Sequence, residues 1–305
     1  MRNRGESTEQ LGLDLCQRWR HRRESYRPGG EVIDPSQYGV ELLSETAARA
    51  FLATHHYAGE DSYPSTQVRV GLFRCVGFMR TELVGAMVFG VPSSSKSLTR
   101  WAPAVDAVAG TVLQRLALLD DVPGNGETWF LRRGFGALRS ERREVRVVLS
   151  YSDPVARADV EGRIYKPGHI GRIYRAHNGI YLGRTRRDDT YLLPSGEIIA
   201  PRSMSKLRNS ERGGKRLEEK LVAKGAPARL PGESDREYAY RLVRDDLFVR
   251  RRRRPGNHVY AWPLTHDRRE RRLLLAQWTP KPPPTEPDPV ILGPVGFAAF
   301  PRAVA

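Results

Sequence analysis

The chain has 305 residues, with 51 Lys or Arg against 35 Asp or Glu and a formal charge of +16. Its two cysteines, Cys16 and Cys75, are too few and too far apart for a disulfide framework or a cysteine-based zinc site. No apolar run approaches the roughly 18 residues a membrane span needs, and the polar, arginine-rich start holds no signal-peptide core, so a cytoplasmic protein without a membrane partner is expected. The positive charge is uneven: residues 201–280 hold 21 basic and 10 acidic side chains. Most of the basic ones are arginine, which favours forked contact with phosphate, and nucleic acid is the expected polyanion.

In chain order, residues 1–30 read as a mobile basic arm ending in RPGG. SETAARAFLATHHY has Ser44 in N-cap position ahead of Ala47, Ala48, Phe51 and Leu52 at helical spacing, which predicts a helix ending near His55 and His56. VRVGLFRC and ELVGAMVFGVP predict an antiparallel strand pair around an FMRT turn, closed by the run from Pro92 to Ser97. TVLQRLALLDD predicts a third strand whose one charge amid apolar residues is Arg115, and TWFLRRGFGALRSERR an amphipathic helix. EVRVVLSYSD, GIYLGRT and TYLLPSGEI predict further strands, with a short helix in HIGRIYRAHN. This alternation predicts a mixed α/β (α+β) sheet with flanking helices, not a doubly wound one. Beyond Ile199 charged helical segments follow, then RRRRRPGNHVYAWPL, in which five arginines and a Pro-Gly turn precede an aromatic strand. The Pro-rich tail from Thr279 predicts an extended or disordered segment.

Several stretches could carry chemistry. The loop PGNGE lies between a strand and a helix N-terminus, where free amides attract an anion, although such a turn is also an ordinary way to begin a helix. HHYAG offers two imidazoles and a phenol at a helix end; adjacent helical residues point about 100° apart, so His55 and His56 make a poor chelate on their own. Asp153 closes a strand in LSYSDP, where a carboxylate can serve as a base or, before proline, simply form a turn. In GHIGRIYRAHNGIY a core role covers Ile170 and Ile173 but leaves His169, Asn178 and Tyr181 unexplained.

Taken in order, HHYAG, VGAMVFG, LQRLALLDDVPGNGETWFLRR, LSYSDP and GHIGRIYRAHNGIYLG resemble the Mom family of bacteriophage DNA-modification proteins, over roughly Glu45 to Ser205, with a weaker echo in RRPGNHVYAWPL. The resemblance implies a fold similar to GNAT acyltransferases and conversion of adenine in phage DNA to its methylcarbamoyl form, which shields the genome from host restriction enzymes. It further implies acetyl-CoA or a related acyl-CoA as cofactor, double-stranded DNA as partner, and the host cytoplasm as location; a homodimer stays open. On this reading residues 31–205 are the GNAT-like catalytic domain, 206–278 a basic DNA-contacting extension of helices and strand, and 279–305 the tail. Carried over residue by residue, His56, Tyr57, Arg115, Ser150, Tyr151, Asp153 and Tyr174 form the catalytic wall. Leu118, Gly124, Asn125, Gly126 and Thr128 hold the cofactor. His169, Asn178 and Tyr181 approach the base, with Arg250, Arg251, Arg252, Arg253 and Arg254 on the DNA backbone. Iron, if the methyl group needs activation, has His55, His56 and Asp153 as candidate ligands. The chain departs from the family pattern in Ala58 for a serine, in Gly179 for a tryptophan that would stack on the base, and in an insertion, RADVEGRIYKP, after Asp153. Two other classes compete: an acetyltransferase acting on a small amine or a protein, and a non-catalytic DNA-binding anti-restriction module.

Overall fold

The computed structural model describes residues 15–20, 23–28, 30–57, 65–92, 95–159, 161–166, 168–245, 248–288 and 291–293. Its elements are β1 (Leu15–Arg20), β2 (Arg23–Pro28), β3 (Tyr38–Leu42), α1 (Glu45–His55), β4 (Thr66–Gly77), β5 (Arg80–Gly90), α2 (Ser95–Trp101), β6 (Gly110–Leu118), α3 (Gly126–Glu141) and β7 (Val147–Ser152). There follow β8 (Ala156–Ala158), β9 (Ile164–Lys166), α4 (Arg172–Ala176), β10 (Ile180–Arg184), β11 (Asp188–Leu192), β12 (Ile198–Ile199), α5 (Pro201–Arg208), α6 (Gly214–Ala223) and α7 (Asp235–Arg244). β13 (Arg250–Arg254), β14 (His258–Pro263), α8 (Arg268–Ala276) and β15 (Ile291–Leu292) complete the order. Two compact units interleave along the chain: Met1–Ser152 with Ile170–Arg184 and His258–Thr285, and Asp153–His169 with Thr185–Asn257 and Glu286–Ala305.

The first unit is built on a seven-stranded sheet in the order β10-β14-β7-β6-β5-β4-β3. Its pairings are antiparallel except β6 with β7, which run parallel. This is the mixed α/β sheet that the strand pattern predicts. Both faces are covered. On one, Met87 and Phe89 pack with Phe130, Leu131, Phe135 and Leu138 of α3, and Tyr260 and Trp262 with Tyr174 of α4. On the other, Ala86, Val88 and Ala117 meet Ala48, Phe51 and Leu52 of α1, while Val147, Leu149 and Ala261 meet Leu98 of α2 and Leu274 of α8. β5 therefore buries successive side chains on opposite faces, which explains its unbroken apolar run.

α1 starts as its sequence predicts: the Ser44 hydroxyl accepts from the Ala47 amide. α2 and α8 are not anticipated. The Ser/Lys-rich run that reads as a strand terminator continues into α2, and the mostly charged RRERRLLLA forms α8, capped by Asp267 and buried through Leu274. Within the expected arm, β1 and β2 pair antiparallel, Leu15–Arg20 against Arg23–Pro28. Residues 279–288 hold neither helix nor strand.

In the second unit, β11 pairs with β12 and β13, and their sheet packs on the three charged helices. Met204 and Leu207 of α5, Leu221 of α6 and Tyr238 and Leu242 of α7 form that core. Much of the positive charge here is matched locally, Arg202 by Glu211, Arg229 by Glu218 and Asp235, and Arg241 by Glu233. β8, β9 and β15 make a separate small sheet. Among the described residues no helix is long and apolar enough to cross a membrane.

One helix position tests the local reading. Gly136 lies inside α3, and a methyl group there meets nothing within 4 Å. Gly136→Ala should raise stability by about 0.5–1 kcal/mol, measured by thermal unfolding; a lower midpoint would show that the helix is not what holds this segment.

Candidate functional site

The parallel pairing of β6 with β7 covers only Gly110–Leu113 against Val147–Ser150. At the same level β6 carries an extra residue: Val88 faces Arg115 and Phe89 faces Leu113, leaving Gln114 as a bulge. Gly90 makes room for it, since a Cβ at that position would collide with the Gln114 side-chain amide. Beyond this point β6 and β7 run on, to Leu118 and Ser152, without pairing to each other. The sheet opens there.

Side chains from both faces reach the opening. Arg115 starts opposite Val88, on the α1 face, and Tyr57 lies just past the α1 C-terminus, its ring 4.2 Å from that of the buried His56. From the other face comes Tyr174 of α4, buried and in hydrogen-bond contact with Ser150. Burial pushes the Tyr174 phenol up to about 12; Ser150 and Arg115 pull it down, and Tyr57 adds to the rise. One phenol thus senses three of the residues singled out in the sequence. The Ser150 hydroxyl donates to the Leu113 carbonyl at 3.1 Å, at the last paired position.

The cluster continues along one row of the sheet. Ser150 faces Tyr260 on β14, and Tyr260 faces Tyr181 on β10. The Tyr181 hydroxyl and His258 Nδ1 lie 2.8 Å apart and share a hydrogen, and His258 in turn stands opposite Ser152. His258 is a functional candidate that the sequence motifs do not single out; its signal is a lone imidazole opening an otherwise apolar strand. Tyr151 is not part of this group. Strand alternation turns it to the opposite face, against the cluster of Leu98 and Leu149, where burial pushes its phenol up to about 12.

Asn178 takes a left-handed conformation, φ 58°, and ends α4 on the surface, a backbone task suited to asparagine. Gly179 follows because a Cβ there would lie 2.7 Å from both the Trp262 ring and the Tyr174 carbonyl oxygen. The ring at this point is therefore Trp262, supplied by β14. Ala58 lies outside the described residues.

Asp153 belongs to the second unit, where it is the hub of an ion cluster. Lys166 reaches it at 3.0 Å, Arg157 at 2.9 Å and Arg254 at 3.3 Å. Arg157 and Lys166 come from the insertion RADVEGRIYKP, in which β8 and β9 pair antiparallel. Burial raises the Asp153 pKa, but the three cations outweigh it and hold the carboxyl at about 2, so it is a weak base. Burial lowers the Lys166 ammonium to about 8 against the pull of Asp153. In the same unit the His169 amide donates to the Asp153 carbonyl at 2.9 Å.

The candidate iron ligands do not assemble: among the described residues no group of three or more His, Cys, Asp or Glu could hold a metal. His55 stacks on Phe51, His56 on Tyr57, and Asp153 is taken by its cations. The loop before α3 is also engaged. The Gly124 amide donates to the Glu31 carboxylate at 3.2 Å, the Asn125 amide to the Glu31 carbonyl, and Asn125 Oδ1 accepts from the Ile33 amide. Thr128 bonds the Asn125 carbonyl, Gly126 bonds Pro123, and Leu118 is in the core. With a carboxylate of its own at the helix start, this loop does not fit a diphosphate as it stands.

Two substitutions follow. Asp153→Ala would leave buried Lys166 uncompensated and should cost about 3–5 kcal/mol in the second unit; unchanged denaturant unfolding would refute a structural cluster. For the parent chain, the Asp153 carboxyl, held at about 2 against an ordinary 3.8, stabilises the fold above pH 4 and loses that effect as pH falls from 4 to 2, which acid titration of unfolding checks. Gly179→Ala should destabilise by about 1–3 kcal/mol, read as a fall in thermal midpoint.

No curated protein matches the chain. Among solved structures, a tandem GNAT protein from the clavulanic acid biosynthesis pathway, solved without AcCoA, aligns over 76% of this chain and 100% of that chain, with 10% identity and a TM-score of 0.37. A model of the Mom protein family matches residues 37–243. That span is more than half of the sequence, and it takes in the split between β6 and β7, α4 and the arginines up to Arg241: the chain belongs to the Mom protein family.

Proposed function

We propose that the chain is a DNA-modifying transferase that converts adenine in phage DNA to its methylcarbamoyl form and so shields that DNA from restriction enzymes. Family membership supports the class of reaction. The observation that carries the site is the hydrogen bond between Tyr174 and Ser150 where β6 and β7 part, with Tyr57 and Arg115 acting on the same phenol through space.

An adenine inside a duplex is out of reach of a protein cleft, so the base must be flipped or caught unpaired, at a cost of a few kcal/mol. Aromatic faces offset part of that cost, and the half-buried Tyr57 and Tyr181 are suited to provide them. The exocyclic amine shares its lone pair with the ring and is a poor nucleophile; it needs a proton acceptor as the new bond forms. The Tyr181–His258 pair and His56 are suited to accept it, whereas Asp153, held ionised at about 2, is not. Arg115 and the Tyr174 hydroxyl are suited to stabilise negative charge on an oxygen of the group being transferred. Attack on an acyl thioester, the donor implied by family resemblance, would by itself release the thiol and leave an N-acyl adenine; the methylcarbamoyl product has the amine bonded to the methyl carbon, so a source of amide nitrogen and a two-electron oxidant are also required, and no residue here is assigned to any of these.

Nucleoside mass spectrometry of DNA from cells expressing the chain should show a heavier deoxyadenosine. Tyr174→Phe, which keeps the packing and removes the hydroxyl, and Arg115→Ala should each lower its yield by about 10²-fold or more while duplex affinity stays unchanged. Unmodified deoxyadenosine from the parent chain refutes the reaction; full yield from both variants refutes the site.

A further inference from the structure

β13 consists of five arginines, and a strand sends successive side chains to opposite faces. Its register against β11 decides which of them act together. Asp189 faces Arg253 and Tyr191 faces Arg251; directly opposed residues share a face, and Arg187, two residues before Asp189, falls on it too. Arg250, Arg252 and Arg254 stand on the other, opposite Leu192, Thr190 and Asp188. Arg254 is spent inside the protein, on Asp153 at 3.3 Å and Asn257 at 3.1 Å.

Arg187, Asp189, Arg251 and Arg253 line an open pocket of about 420 Å³. Its charge is unbalanced, with three guanidiniums around one carboxylate. Arg251 takes Asp189 at 2.5 Å, and Arg253 acts on the same carboxylate through space. Among the described residues Arg187 has no carboxylate within ion-pair distance. Elsewhere in this unit Arg202, Arg229 and Arg241 are each paired with a glutamate. Planar guanidinium forks converging on one concavity suit an anion with several oxygens, phosphate above all. None of the four lining side chains is an aromatic ring, and Tyr191, beside Arg251 on the same face, packs against the core of the unit, so the pocket suits a backbone and not a nucleotide.

We propose that this face grips a phosphodiester of the DNA backbone, through Arg187, Arg251 and Arg253, and that the opposite face of the same strand does not. The proposal rests on the reading that the chain acts on DNA. Removing one guanidinium from a phosphate should weaken binding and lower the slope of log affinity against log salt by about one.

The test uses the full chain and a fluorescently labelled duplex titrated across salt concentrations. Arg187→Gln and Arg253→Gln should each weaken affinity about three- to tenfold near 0.1 M salt and flatten the slope by about one. Arg252→Gln, an exposed residue of the same strand with the same change in charge, should shift affinity by less than about twofold. All three side chains are exposed, so folding is not at stake. Equal losses from all three would show diffuse attraction and overturn the proposal, as would parent-like binding by Arg187→Gln and Arg253→Gln. If the parent chain still modifies deoxyadenosine in such a case, the pocket alone falls. A parent chain that neither binds duplex nor alters deoxyadenosine removes the DNA reading and the pocket with it.

Discussion

The short parallel pairing of β6 with β7 is the constraint on which the candidate site depends. Parallel neighbours stay together only while their hydrogen bonds stay in register, and the Gln114 bulge ends that register after Leu113. A continuous sheet would keep its two faces apart. Because this one parts, Arg115 from the α1 face and Tyr174 from the α4 face act on each other. The surrounding core then keeps the opening in place: Phe130, Phe135 and Leu138 of α3 hold one side of the sheet and Phe51 and Leu52 of α1 the other. The missing backbone pairing at the centre is thus compensated by apolar burial around it.

The fate of Asp153 shows how an insertion can change what a motif residue does. After LSYSDP the antiparallel pair β8–β9 brings Arg157 and Lys166 onto this carboxylate, and Arg254 joins them. A carboxylate in that setting is a structural anion; its depressed pKa measures how strongly it is held. An imidazole lies in the first unit instead: His258, opposite Ser152, is hydrogen-bonded to Tyr181, which shares a sheet row with Ser150 and Tyr260.

Charge follows a similar logic in the second unit. The helices α5 to α7 carry many of the basic residues that raise the net charge, yet several are neutralised by neighbouring acids. Others, such as Arg208, Arg216 and Arg236, form no ion pair among the described residues, but they are spread over separate helices, whereas β13 sets five arginines side by side against one partner strand. Alternation splits them between an inner role, shown by Arg254 on Asp153, and an outward face.

The sequence by itself determined the local elements whose cause is local. Ser44 predicts the start of α1, the β-branched runs predict β4 and β5, and the apolar spacing of Phe130, Phe135 and Leu138 predicts α3; each depends on contacts within a few residues or on a simple period. The motif order also carried the family. α2 and α8 escaped because their residues are mostly polar and charged, and they become helical by docking Leu98 and Leu274 on the sheet. Tertiary structure alone decided that Tyr151 faces away from Ser150, that Trp262 fills the space beside Gly179, that Glu31 occupies the loop before α3, and that Asp153 is an ion-cluster hub. Each of these depends on which distant strand lies alongside and in what register, and a pairing between residues far apart in the chain leaves no periodic trace in either stretch.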